Sequence, residues 1–145
     1  MKWTLPILFT MLACGRLPYG QPSEVVVNTS DSLIQEAVQD FYTMSADYGI
    51  PAAAVRVDVA VPQDSKAIGS CQIATSRVRL HPKVLQDTRA RYFVKYITFH
   101  ELAHCAHGEG HTEDSGDLMH PRVWPTSLAD QEARIGRYFR SRAGR

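Results

Sequence analysis

The sequence predicts a single α+β domain with a mixed sheet, a long helix that carries a histidine motif, and a C-terminal helix. Two patterns predict this class: apolar residues recur with helical spacing over 32–48 and 89–107, and they alternate with polar residues over 53–61. The length agrees, because 145 residues lie within the usual range for one domain. We therefore expect helices and strands to share one modest core.

The charge balance of the chain excludes some partners. With 16 basic and 15 acidic residues, the formal net charge is only +1. Without a strong positive field, neither a nucleic acid nor an anionic membrane surface is predicted as a partner. A locally basic C-terminal segment is interpreted as a solvated helix face and a frayed tail. Its basic residues are Arg134, Arg137, Arg140, Arg142 and Arg145.

The N-terminus is typical of an export signal. Lys2 precedes an apolar run over 3–13, which has the length of a signal-peptide core and is too short to span a bilayer. The run ends in Met-Leu-Ala-Cys-Gly, which resembles a bacterial lipoprotein signal in which the cysteine, here Cys14, is lipidated. We therefore predict a protein that is secreted, or held at the cell envelope through a lipid anchor alone. The signal, the tether and the folded domain are assigned to 1–14, 15–29 and 30–145.

The folded domain begins with a helix and a strand. Apolar residues at helical spacing predict a helix over 32–48, with Ser30 or Asp31 as its N-cap. Glycine and proline within 49–51 end this helix. Alternating valines over 53–61 then predict a strand with one buried face.

The remaining elements are predicted in the same way. They are strands over 67–74 and 77–80, a short helix over 82–86, a long helix over 89–107, and a last helix opened by Ser127. A hairpin around Thr75 and Ser76 would join the two strands. Apolar residues on neighbouring faces of the long helix pack it into the core, so the core and the histidine motif share one element.

Two cysteines remain in the domain if Cys14 is lipidated or removed, namely Cys71 and Cys105. A disulfide between them is favoured, because disulfides persist in exported proteins. It would tie the segment before the long helix to that helix directly after His104. The other interpretation is that both are small buried apolar side chains.

The histidine motif lies near the end of the long helix and reads His100-Glu101-Leu102-Ala103-His104. Residues four apart share a helix face, so His100 and His104 can bind one metal ion with Glu101 beside it. Neutral imidazole suits zinc, and a catalytic zinc site needs three protein ligands and an open position for water. The third ligand is therefore expected downstream.

Two histidines compete as the third ligand. His107 continues the helical face about 10 Å along the axis from His100, which is a strained reach for a tetrahedral ion. Gly108 and Gly110 end the helix and let the chain turn back, which favours His111. His107 is then a capping residue or a support for a ligand at the helix C-terminus, where a partly cationic ring is favoured.

Together these residues resemble the signature of the metzincin metallopeptidases, and within them the matrixins. That signature is H-E-x-x-H-x-x-G-x-x-H, followed by a turn whose methionine lies beneath the zinc. The chain has H-E-L-A-H-C-A-H-G-E-G-H, so Gly108 and His111 each come one residue later. The segment 118–121, Leu-Met-His-Pro, resembles the methionine turn, with Met119 in place and His120 where those proteins often have tyrosine.

The resemblance implies a zinc-dependent endopeptidase with a zincin-like fold. Zinc bound by His100, His104 and His111 lowers the pKa of its water, and Glu101 is the general base that takes the proton. In metzincins an edge strand pairs with the substrate, and 68–74 is the matching segment. Extended protein chains and cell-wall peptides both fit as substrates, and the sequence does not choose between them. We expect a monomer.

Other polar residues near the motif have several interpretations. An acidic residue, Glu113 or Asp114, is an alternative third metal ligand. The acidic residues that follow the motif are interpreted as solvated turn residues, although they could orient a ligand histidine or bind calcium. They are Glu109, Glu113, Asp114 and Asp117. His81 is interpreted as a surface residue at a strand end, with metal ligation as the alternative.

A different class of function fits the same residues. A non-catalytic zinc-binding protein of the cell envelope, serving adhesion or assembly, would keep the three histidines. In that case the extra residue before His111 would have removed the position of the reactive water.

Overall fold

The computed structural model of the protein describes residues 23–122 and 124–144. Its helices are α1 (Ser32–Asp47), α2 (Thr88–Tyr92), α3 (Val94–Ala106) and α4 (Leu128–Arg142). Its strands are β1 (Val26–Asn28), β2 (Arg56–Val59), β3 (Gly69–Gln72) and β4 (Arg77–Leu80), and short 3₁₀ helices span Ile73–Thr75 and Pro82–Leu85. Helices beside a mixed sheet confirm the predicted α+β class for this part of the chain.

The predicted signal segment and Cys14 lie outside the described residues. Within the described ranges, none of the helices is both long enough and apolar enough to cross a membrane. Lipidation of Cys14 therefore stays a prediction from the sequence.

The strands form one mixed sheet in the order β1-β2-β4-β3. Both β1 and β4 pair with β2 in parallel, whereas β3 and β4 form an antiparallel hairpin. The turn of this hairpin contains Ser76 in the left-handed region at φ 49°, within the predicted Thr75-Ser76 turn. Among the described residues β3 pairs with β4 alone, so it is an edge strand of this sheet.

The sheet begins earlier than the sequence predicts. Residues 26–28, assigned above to the tether, form β1, and the N–H of Val26 donates to the carbonyl of Val55 over 3.0 Å. Three residues are too few to show an alternating pattern, so pairing with β2 makes this segment a strand. The single buried face predicted for β2 is also wrong, because Asp58 is buried and accepts from Asn28 Nδ2 over 2.6 Å.

Three helices meet in an aromatic cluster. Phe41 of α1 lies edge-to-face with Phe99 of α3, at 5.3 Å between ring centroids, and with Phe139 of α4, at 5.7 Å. All three rings are fully buried. The side chains of Asp31 and Ser127 cap α1 and α4, as predicted. The helix that carries the histidine motif is therefore packed against both α1 and α4.

The predicted continuous helix over 89–107 is wrong, because two helices, α2 and α3, occupy that range. Phe93 separates them with φ −107° and ψ 23°, outside helical values. Its ring is buried and lies edge-to-face with Tyr92 at 4.8 Å and with Trp124 at 6.2 Å. The break coincides with packing against Trp124, which is distant in sequence, and the local periodicity does not show it.

The C-terminal basic segment is only partly the solvated face that the sequence predicts. Arg134 and Arg142 are 7% and 9% exposed, whereas Arg137 and Arg140 are exposed. Each buried guanidinium forms an ion pair with a carboxylate, which is what allows a charge to leave water. Arg145 lies outside the described residues.

A disulfide joins Cys71 of β3 to Cys105 of α3, with their Cα atoms 5.5 Å apart. It attaches the edge strand to the helix at the residue that follows His104. The two cysteines are separated by 34 residues in the sequence. Closing a loop of that length removes conformational freedom from the unfolded chain, and the stabilisation expected from this effect is about 4 kcal/mol.

Removing the disulfide is expected to lower the free energy of unfolding by about 4 kcal/mol. Guanidinium unfolding of Cys71→Ser/Cys105→Ser, compared with the oxidised wild type, measures the change. The reduced wild type is the control, because it should unfold like the double variant. A loss below about 1 kcal/mol would contradict the expectation.

Candidate metal centre

Three histidine side chains converge at the C-terminal end of α3. His100 and His104 lie one turn apart on this helix, and His111 comes from the loop that follows it. The Nε2 atoms are 3.2 Å apart for His100 and His104, 3.3 Å for His100 and His111, and 3.1 Å for His104 and His111. Among the described residues, this triad is the one group of three or more His, Cys, Asp or Glu side chains close enough to hold a metal ion.

Backbone carbonyls orient two of these rings. His104 Nδ1 lies 2.6 Å from the carbonyl oxygen of Glu109, and His100 Nδ1 lies 2.8 Å from that of Leu118. A carbonyl oxygen only accepts, so each neutral ring carries its hydrogen on Nδ1, and Nε2 keeps its lone pair for a metal. The acceptors for these two rings are thus peptide groups and not the acidic side chains considered above.

Burial favours the neutral form of two of the three rings, those of His100 and His104. It lowers the pKa of His100 to about 4, and the neighbouring His104 and His111 lower it further. Burial also lowers the pKa of His104 below its usual value. The physical cause is that a charged imidazolium is poorly solvated inside a protein. At neutral pH both rings are therefore in the form that coordinates a metal.

The end of α3 accommodates the extra residue before His111. The helix ends at Ala106, and Gly108 has φ 70°, which confirms the left-handed glycine predicted at this helix end. The N–H of Glu109 then donates to the carbonyl of Ala103 over 3.1 Å, so the chain turns back along the helix. His111 thereby reaches the other two histidines.

His107 is bonded to α1 and α4 and not to the triad. Its Nε2–H donates to Ser45 Oγ over 2.9 Å, because that hydroxyl already donates to the carbonyl of Phe41. Its Nδ1 accepts from the hydroxyl of Tyr138 over 2.7 Å. Burial lowers the pKa of His107 to about 4, so the predicted partly cationic ring is wrong. Of the two competing histidines, His111 joins the triad and His107 links three helices.

Glu101 is buried between α3 and β3, next to the triad in sequence and in the fold. It is 7% exposed, and burial raises the pKa of its carboxyl to about 8. Its side chain lies against Gly69, where an added Cβ would be 2.7 Å from Glu101 Cγ and 2.8 Å from Oε1. Gly69 is not among the predicted site residues, although a glycine inside a strand indicates that another group approaches closely.

The triad and Glu101 line one cleft of about 450 Å³. Its walls come from β3, from α3 and from the segment after Met119, including His120 and Trp124. Met119 is fully buried, and its carbonyl accepts from the N–H of Thr112 over 3.2 Å. The segment that carries the third histidine and the predicted methionine turn are therefore joined beside the cleft.

The other candidate residues take part in local structure. Asp114 Oδ1 and Asp117 Oδ1 accept backbone N–H groups of their own loop over 2.9 and 2.8 Å. Glu113 is exposed, and in the described part of the chain neither it nor Asp114 joins a group that could share an ion. His81 Nδ1 accepts from the N–H of Lys83 and so caps the 3₁₀ helix that follows it.

Comparison with known proteins assigns no family to the chain. No protein-family model matches it, and neither a curated protein nor a solved structure does. The geometry of the triad and its cleft therefore carries the functional argument.

Proposed function

We propose that the protein is a zinc-dependent endopeptidase with a metzincin-like fold, the class that its motif resembles. The observation that carries the proposal is the spacing of the three Nε2 atoms, which lie 3.1 to 3.3 Å apart. Three nitrogens bound at about 2.05 Å to a tetrahedral zinc ion are about 3.3 Å apart. Three imidazoles that border a cleft are also a donor set typical of catalytic zinc.

Glu101 is the residue that would move the proton. When bound, zinc supplies Lewis acidity and lowers the pKa of a coordinated water. A zinc ion held by the triad would favour the ionised form of Glu101, against the burial that raises its pKa to about 8. As a carboxylate that lines the same cleft, Glu101 could then take a proton from the attacking water and later pass it to the leaving amine. Its burial between α3 and β3 limits access of bulk water to that proton.

The edge strand β3 supports a peptide as the substrate. The N–H of His81 donates to the carbonyl of Ile68 over 2.8 Å. Hydrogen-bonded and non-hydrogen-bonded pairs alternate along an antiparallel ladder, so the backbone groups of Gly69 and Cys71 face the outer edge. An extended chain can add to β3 through these groups, as peptides do at other sheet edges.

We also propose that the protein acts as a monomer outside the reducing cytosol. The predicted export signal is the basis for this location, and the disulfide between Cys71 and Cys105 is consistent with an oxidising compartment. Mass analysis of the mature N-terminus would test the processing and lipidation of Cys14.

The function is tested by asking whether the zinc-loaded protein hydrolyses extended peptides. We expect cleavage of a peptide library, loss of cleavage when a chelator removes the ion, and recovery on addition of zinc. Calcium and magnesium should not restore cleavage, because they prefer oxygen ligands. A cell-wall crosslink peptide in the same panel separates the two substrate classes. A protein that binds zinc and cleaves no peptide would instead support the non-catalytic function.

Gly69→Ala is expected to lower kcat by about 100-fold with little change in zinc affinity, because the new Cβ would displace the Glu101 side chain. Kinetics on a cleaved peptide and a zinc titration measure the two quantities. Gly136→Ala in α4 is the control away from the cleft, since a Cβ there would meet only the guanidinium end of the exposed Arg140 side chain. Wild-type kcat in Gly69→Ala would contradict the assignment of Glu101 as the proton-transfer group.

A further inference from the structure

The two peptide groups that orient metal ligands lie near opposite ends of one loop, which joins α3 to the methionine turn. The carbonyl of Glu109 accepts from His104, and the carbonyl of Leu118 accepts from His100. The third histidine, His111, lies between these two positions in the sequence. An interaction that holds the two ends of the loop together therefore also holds the three ligand rings in their mutual arrangement.

Arg142, near the C-terminal end of α4, contacts both ends of this loop. Its Nε donates to Glu109 Oε1 over 2.9 Å, and its Nη1 donates to Asp117 Oδ2 over 3.3 Å. Asp117 directly precedes Leu118, and its other oxygen accepts from the N–H of Met119 over 2.8 Å. One guanidinium thus bridges the two segments that carry the ligand-orienting carbonyls.

The position of Arg142 is itself closely defined by its surroundings. The residue is 9% exposed, and its guanidinium carbon lies 3.9 Å from the centroid of the Tyr138 ring. Its Nη1 also donates to Ser141 Oγ over 2.9 Å. The side chains of Glu109 and Asp117 are only 26% and 14% exposed, so salt screens these two ion pairs less than surface pairs.

We propose that Arg142 is a positioning residue for the metal centre, which raises zinc affinity by holding both ligand-orienting carbonyls in place. The inference rests on the proposed zinc site and concerns the affinity of that site. Removing a group that orients a ligand histidine weakens metal binding by about 10- to 100-fold. Arg142 acts one step further from the ion, so we expect about 10-fold.

The variant Arg142→Met removes both ion pairs and keeps an unbranched stem beside Tyr138. Chelator competition should show a zinc Kd about 10-fold higher, and the Co²⁺-loaded protein should show a changed absorption spectrum. Lys95→Met is the matched control, because Lys95 also bridges two carboxylates, those of Asp40 and Glu132, each at 3.2 Å. That bridge joins helices and not the ligand loop, so both readouts should match the wild type.

A zinc Kd in Arg142→Met within about threefold of the wild type would overturn the proposal. An equal rise in Lys95→Met would also overturn it, because general loss of stability would then explain both. If Arg142→Met does not fold, Glu109→Gln and Asp117→Asn each neutralise one of the two carboxylates that Arg142 bridges. Unchanged zinc affinity in both variants would also overturn the proposal. A wild type that takes up no zinc would refute the proposed function itself, which separates the two failures.

Discussion

Glu101→Gln is expected to lower kcat for peptide hydrolysis by about 10²- to 10⁴-fold, the usual contribution of a general acid–base group. Glutamine has nearly the same size and can occupy the space beside Gly69, but its amide does not take up a proton at neutral pH. The zinc Kd should not change, because Glu101 is not a member of the triad. Steady-state kinetics and zinc stoichiometry on the same preparation measure both effects.

The control for this substitution is Glu36→Gln on the exposed side of α1, which should keep the wild-type kcat. Near-normal turnover in Glu101→Gln would remove Glu101 from the mechanism and leave the triad untouched. Loss of zinc together with turnover would indicate that the Glu101 side chain supports the triad structurally and does not transfer the proton.

His111→Ala is expected to raise the zinc Kd by more than about 100-fold, beyond the effect of removing a group that only orients a ligand. The reason is that it deletes one of the three converging Nε2 atoms. Because His111 is exposed, the free energy of unfolding of the metal-free protein should change by less than about 0.5 kcal/mol. Chelator competition and chemical unfolding test the two statements.

His107→Phe is the contrasting variant, with the opposite expected outcome. The phenyl ring can keep the packing on Phe41, whose ring centroid lies 4.6 Å from that of His107. The variant removes two hydrogen bonds of the His107 ring, with the Tyr138 hydroxyl and with Ser45 Oγ, which costs about 1 to 3 kcal/mol of stability. Zinc affinity should stay at the wild-type level. If zinc binding depended on His107 and not on His111, the ligand assignment would be wrong.

The parts of the site that depend on neighbouring residues can be predicted from the sequence. The four-residue spacing of His100 and His104 places both on one helix face, and Gly108 predicts the end of α3. Asp31 and Ser127 are residue types preferred at N-caps, and in the structure each accepts from an N–H three residues later. The resemblance to the metzincins also depends on this local spacing. The proposed zinc binding and the proposed catalysis rest on that resemblance.

Contacts between distant segments could not be predicted in this way. β1 is a strand because β2 pairs with it, and the break at Phe93 accompanies its contact with Trp124. The close approach of Gly69 to Glu101 joins the edge strand to the motif helix. In each case the contacting residue lies far along the chain, so a short sequence pattern does not predict the contact.

By itself the sequence determined the types of most elements, the helix ends and the placement of His100 and His104 on one helix face. Only the tertiary structure decided that His111 completes the triad while His107 links helices, and that Arg142 is buried while Arg140 is exposed. Helix faces and helix ends depend on residues that are neighbours in the sequence, so the sequence shows them directly. Which side chain of α4 reaches the ligand loop depends on how α1, α3 and α4 pack together, and that packing is a property of the whole core.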